Sequence, residues 1–270
     1  MAAWSILLSI LALAMIGIAF GFWVSPKMNQ RSVPKTAGVK DAKPITQFPS
    51  PSEAEALAMV KAALLIRDPQ QAQEVFRMGR ATAQEIVDFL ASLSSVESPK
   101  PTFEWLSSID ANGLALEGVT VKLGEGGASQ RLAVLTPDPA GKWKMDFETL
   151  ARKCNPPLNE FLTSNYAAVA EVRVYVGSDN YFNGIYSDEN EWVCYGLISP
   201  DIEQNLYAYC KVGSPQAKAM AAIFLRDSTL YRAVLEIRRW EEGDSRQFEI
   251  ARVLADDWVL TEKPFDEAYR

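Results

Sequence analysis

Residues Ala2 to Val24 carry no charged side chain, and apart from Trp4 and Trp23 their only polar side chains are Ser5 and Ser9. A run of 23 such residues exceeds the ~20 that a helix needs to cross the hydrocarbon of a bilayer. Inside lipid a helix satisfies every backbone amide internally. Trp4 and Trp23 are 19 positions apart, and at ~1.5 Å per residue their indoles sit roughly 28 Å apart, one at each headgroup boundary. The pattern predicts a single transmembrane helix with the lipid bilayer as its partner. A cleaved signal peptide would carry a basic n-region and a shorter apolar core.

Five basic residues come after the run (Lys27, Arg31, Lys35, Lys40 and Lys43), and Asp41 is the only acid before Ser50. The positive-inside rule assigns the chain beyond Val24 to the cytoplasmic side, with Lys27 and Arg31 at the interface. Against it stands the habit of bacterial N-terminal anchors of exporting the rest of the chain. Pro26, Pro34, Pro44 and Pro49 make residues 25–49 an extended, solvated linker. Beyond it lie 22 basic and 33 acidic residues, a net charge of −11, which repels phosphate backbones and argues against nucleic acid as a partner. The chain has no histidine, so Ser-His-Asp and Cys-His chemistry and His-ligated metals are out of reach. Three scattered cysteines cannot supply a Cys-only zinc site, and no cofactor is implied.

Three helix starts come next. Ser50-Pro51-Ser52-Glu53, Asp68-Pro69-Gln70-Gln71 and Thr82-Ala83-Gln84-Glu85 each place a capping side chain before an acid or amide three residues on. They predict helices over 51–66, 69–78 and 83–94. The hydrophobic period then changes from helical to two, predicting strands near 103–109, 114–123, 130–136 and 142–147. This layout, with one sheet face under the helices, is α+β. After Cys154-Asn155-Pro156-Pro157 a second half begins, with a helix at 157–164. Ala170–Val176 alternates, strands at 191–198 and 205–212 form a hairpin, Ser214-Pro215 opens a helix, and strands near 230–240, 246–254 and 256–261 close the chain. The expected fold is thus an N-terminal transmembrane helix followed by two helix-plus-antiparallel-sheet halves, 50–153 and 154–270.

Capped helices leading into the run Gly141-Lys142-Trp143-Lys144-Met145-Asp146-Phe147 resemble the nuclear transport factor 2-like (SnoaL-like) cone fold over about residues 51–152. The resemblance implies a curled sheet around a pocket. The family holds isomerases and dehydratases beside binding proteins without activity. Its enzymes commonly use a His-Asp pair, and without a histidine no catalytic residue carries over.

Among candidate sites, a hairpin centred on residue 202 would bring Cys194 and Cys210 face to face. There they could form a disulfide in an oxidising compartment or serve as two buried thiols. The stretch Asp179–Asn190 looks like a broken calcium loop, with Tyr181 third and Asn190 twelfth where carboxylates belong. Tyr181, Phe182, Tyr186, Trp192, Tyr195, Tyr207 and Tyr209 concentrate aromatic rings beside carboxylates. This suits either a surface for a glycan or partner protein or simple cross-strand packing. Asp146, Glu160 and Asp188 are possible acid/base carboxylates, but no spacing singles out a pair. The expected function is a membrane-anchored, non-catalytic binding or assembly module. The alternative is a His-free enzyme using carboxylate and tyrosine groups in a cone pocket.

Overall fold

Side-chain caps set where the helices begin in the computed structural model, which describes residues 48–94, 100–111, 113–124, 129–163, 168–226, 228 and 230–270. Helix α1 (Glu53–Leu64) starts one cap later than the sequence suggests. Ser52, not Ser50, is the N-cap, in a reciprocal capping box with Glu55. Asp68 caps α2 (Pro69–Val75) through the Gln70 amide, and Thr82 and Glu85 cap each other at α3 (Ala83–Ser94). Helix α2 ends early because Phe76 turns extended. Phe76–Arg77 form a short strand, β1, that pairs in parallel with β5 (Trp143–Asp146). The remaining strands, β2 (Thr102–Ala111), β3 (Leu114–Leu123) and β4 (Ser129–Pro137), complete a five-stranded sheet in the order β1-β5-β4-β3-β2.

Both faces of this sheet are covered. Val60, Ile86 and Leu90 of the helices pack on Val119, Val121, Leu135 and Met145, filling the space between helices and sheet with apolar side chains. The reverse face holds Leu116, Leu132 and Val134 against Trp258, Val259 and Tyr175. Double coverage explains why Ala115–Val119 of β3 are buried without a break, since alternation survives only where one face meets water.

After the short helices α4 (Phe147–Ala151) and α5 (Leu158–Thr163), the chain builds a closed barrel. Its strands are β6 (Ala168–Ser178), β7 (Trp192–Ile198), β8 (Leu206–Lys211), β9 (Tyr231–Arg239) and β10 (Gln247–Ala255). β6, β7 and β8 form a meander, β9 returns to pair with β6, and β10 closes the circle antiparallel to β9 and parallel to β8. Counted within the barrel the order is 1-2-3-5-4-1, with helix α6 (Pro215–Phe224, capped by Ser214) between the third and fourth strands. This is a five-stranded Greek-key barrel, the architecture typified by the OB-fold. Val172, Val174, Leu197, Leu235, Met220 and Phe248 lie in its core.

The sheet and barrel are joined by ion pairs and by the strap of chain after β10. Arg173 on β6, 1% exposed in its side chain, donates to Glu148 of α4 at 2.6 Å and to the Trp258 carbonyl at 3.0 Å. Arg80 bridges Glu148 and Glu171, and Arg152 grips Asp201 through two hydrogen bonds. Gly79, at φ +61°, lies against Glu148 so closely that a Cβ there would come within 2.5 Å of its carboxyl carbon. All described residues belong to one compact unit.

The expected fold class is therefore corrected. Each sheet is mixed, because β1 and β10 add parallel to strands distant in sequence, and the second closes as a barrel instead of lying under helices. Residues 256–261 are a strap, not a strand. The membrane and single-pass reading is corrected as well: no helix among the described residues is long and apolar enough to cross a membrane. The expected span at 2–24 with Trp4 and Trp23, and the linker with Lys27 and Arg31, lie outside the described residues.

Candidate functional site

The β7–β8 register decides what each side of the hairpin presents. Cys194 pairs with Tyr209, Gly196 with Tyr207, and Val193 with Cys210. Trp192, Cys194, Tyr207 and Tyr209 consequently face outward, while Tyr195, Leu197, Ala208 and Cys210 face the barrel core. This corrects two expectations. Pairing is one residue away from the symmetric register, so Cys194 and Cys210 sit on opposite faces as free, buried thiols. Burial raises their pKa values to about 11 and about 12, which keeps both protonated and unreactive at neutral pH. Tyr195 leaves the aromatic group altogether and stacks inside on Phe224.

The other aromatic residues do come together, because the β6–β7 loop folds back over the outer face. Tyr186 lies flat on Tyr209, with ring centres 4.0 Å apart and planes 6° from parallel, and meets Trp192 edge-on at 4.9 Å. Tyr181 stacks on Tyr207 at 4.3 Å. The Tyr181 carbonyl accepts from the Tyr209 hydroxyl at 2.5 Å and the Cys194 thiol at 3.5 Å. Gln247 of β10 donates to the Asn183 carbonyl and to Tyr209. Residue 196 beneath the loop is glycine, and a Cβ there would stand 3.1 Å from the Asp179 carboxylate, close enough that the carboxylate would have to shift by a few tenths of an ångström.

Composition alone did not reveal the rest of the face. Trp240, 43% exposed at the end of β9, donates its indole N–H to Glu249 at 2.8 Å. Ile185, 38% exposed, abuts the β9–β10 turn at Gly243. With Tyr181, 37% exposed, they are the exposed apolar side chains of two adjoining loops. The only sequence signal for Trp240 is its place just before the acidic turn Glu241-Glu242-Gly243-Asp244.

The surrounding charge is one-sided. Residues 179–191 and 240–249 contain eight acids and one base, Arg246. Two rings at the edge already hold cations: Lys211 lies over Trp192 and Arg238 over Trp240, each 5.4 Å from the ring centre. The Tyr186 hydroxyl is buried without a hydrogen-bond partner. Burial, reinforced by Glu249, pushes its pKa well above the ordinary tyrosine value, and burial does the same for Tyr209. Both phenols stay neutral and can donate but not act as bases.

The carboxylates considered for acid/base work are dispersed. Asp146 caps α4 by accepting from the Thr149 amide at 2.8 Å and faces Arg77 at 3.5 Å. Burial raises its pKa against the pull of Arg173 and Arg77. Glu160 is exposed on α5, and Asp188 caps a turn through the Asn190 amide. Asp179 is likewise used by the Asn180 and Tyr181 amides. Among the described residues no group of three or more acids or cysteines is arranged to hold a metal ion. The features thus define a class, a two-sheet protein whose Greek-key barrel carries an acid-rimmed aromatic face. No family model, curated protein or solved structure matches the chain.

Proposed function

We propose that this protein is a non-catalytic binding module whose barrel face takes a basic segment of a partner polypeptide. The observation that carries the reading is the exposure of Tyr181, Ile185 and Trp240 on two loops rich in carboxylates. Aromatic rings supply large contact area at low entropy cost. Carboxylates around them favour lysine and arginine and disfavour anionic ligands. Lys211 and Arg238 rest over Trp192 and Trp240, the contact an incoming arginine would make by displacing them. In Greek-key barrels of this kind the second and third strands and their flanking loops commonly bind ligands, an analogy of architecture that agrees with the local chemistry.

The test is fluorescence anisotropy of a labelled peptide of about twelve residues alternating arginine and glycine, titrated with the full-length protein. Binding is expected to weaken with salt, as screening of exposed charges requires. Trp240→Ala is expected to cost about 2 kcal/mol, roughly 30-fold in Kd. No change in anisotropy, or binding indifferent to Trp240→Ala, contradicts the reading. Salt-independent binding of a neutral oligosaccharide to the same face assigns it to a glycan instead.

A further inference from the structure

A second site lies on the first sheet, away from the barrel face. Phe76, Leu135 and Met145 point at the helices. The register Arg77↔Asp146 and Thr136↔Lys144 therefore puts Arg77, Lys144 and Thr136 together on the reverse face. Beyond the end of the Trp258 packing this face opens into a cleft of about 980 Å³, whose other wall is the strap at Thr261–Lys263. That volume is at the upper end for a small-molecule site.

Two of the buried side-chain donors that lack a hydrogen-bond partner line this one cleft: Nη1 of Arg77 and the hydroxyl of Thr136. Thr136 is 2% exposed, and an unmet buried hydroxyl is costly enough that such groups are rare without a purpose. Arg77 is held in position by Nη2, which donates to the Leu260 carbonyl, while Nη1 itself faces an Asp146 carboxylate oxygen at 3.5 Å, an ion pair without a hydrogen bond. Arg77 and Thr136 stand on the two strands that flank β5, and a guanidinium and a hydroxyl are donors that a carboxylate accepts from. The lining side chains Arg77, Lys144 and Lys263 exceed Asp138 and Glu262 by one positive charge, and Asp146 beside Arg77 offsets it, a balance that disfavours a dianionic phosphate. Phe48, Met78, Leu114 and Pro137 make the remaining wall apolar.

We propose that this cleft binds a small monocarboxylate with an apolar tail, its carboxylate held by Arg77 and Thr136. The site stands on observations separate from those for the barrel face. The experiment is thermal unfolding of the full-length protein with octanoate, octanol or hexyl phosphate. Octanoate is expected to raise the midpoint by mass action, and the other two to do so much less. Thr136→Val, which deletes only the unmet hydroxyl, is expected to leave the ligand-free midpoint unchanged or higher and to weaken octanoate about tenfold. Thr136→Ser is expected to restore binding. The proposal is overturned if octanoate has no effect, if octanol or hexyl phosphate matches it, or if Thr136→Val binds octanoate like the parent. A Thr136→Val chain destabilised without ligand also overturns it, because the hydroxyl is then a structural group.

Discussion

Arg173→Ala is expected to destabilise the protein by about 3–5 kcal/mol, the cost of leaving a buried carboxylate without its partner. Arg173 joins four groups at the seam between sheet and barrel: Glu148, the Trp258 and Lys153 carbonyls, and Glu171 at 3.2 Å. Removing its guanidinium leaves Glu148, itself 3% exposed, with only the Arg80 contacts. The double change Arg173→Met with Glu148→Leu is expected to recover much of the loss, because a buried ion pair often contributes little over an apolar pair of similar volume. Urea unfolding midpoints of the three chains measure this. A single-variant loss under about 1 kcal/mol would show that the seam does not depend on Arg173.

Acid acts on the same carboxylate. Burial pushes the Glu148 pKa up, but the Arg80 amide and the Arg173 and Arg80 guanidiniums together outweigh it and hold the group below its ordinary 4.5. A depressed carboxylate contributes stability that is present above its unfolded pKa and is lost as pH falls through the folded one. Asp146, raised by burial, works in the opposite sense and gains stability on protonation. Loss of stability assignable to Glu148 is therefore expected only below pH 4.5, and Glu148→Gln should flatten that part of the urea-midpoint profile. An unchanged profile would remove Glu148 from the acid response.

The second large effect belongs to the strap. Trp258→Ala is expected to cost about 3–5 kcal/mol, as for other fully buried large side chains. Trp258 is 1% exposed, packs against the tilted ring of Tyr175 at 4.8 Å between centres, and donates its indole N–H to the Val174 carbonyl at 3.0 Å. It fills the reverse face of the sheet beside Leu116, Leu132 and Val134. Trp258→Phe keeps most of the volume and loses the hydrogen bond, so a smaller cost is expected. Equal costs for the two variants would mean that the indole N–H, and not the packing, holds the strap.

Local features of this fold are legible in the chain. Asp68, Thr82 and Ser214 cap the helices that their spacing announces, and Val172, Val174 and Val176 share a buried face as alternation demands. Pairing is less legible. Period two says which residues share a face within one strand, but not which residue lies opposite, and a slip of one residue puts Cys210 on the other side from Cys194. The parallel additions of β1 and β10 join segments far apart in sequence, which no local pattern encodes.

The barrel face is half legible for the same reasons. Tyr181, Tyr186, Trp192, Tyr207 and Tyr209 are gathered as their crowding suggests. Tyr195 is set apart by its neighbour, since a residue adjacent to the outward Cys194 must point inward. Trp240 comes from a different hairpin, and only the closure of β10 on β8 brings its turn beside the Tyr207 strand. The coverage of the reverse face by the strap likewise depends on contacts between segments more than a hundred residues apart, such as Trp258 with the Thr149 hydroxyl.

Hydrogen exchange of the full-length protein with and without the arginine–glycine peptide tests the barrel face most directly. Slowed exchange confined to residues 179–186 and 240–246, and absent in Trp240→Ala, is the expected result. Protection that falls elsewhere, or none under conditions where the peptide is bound, contradicts a binding role for Tyr181, Ile185 and Trp240.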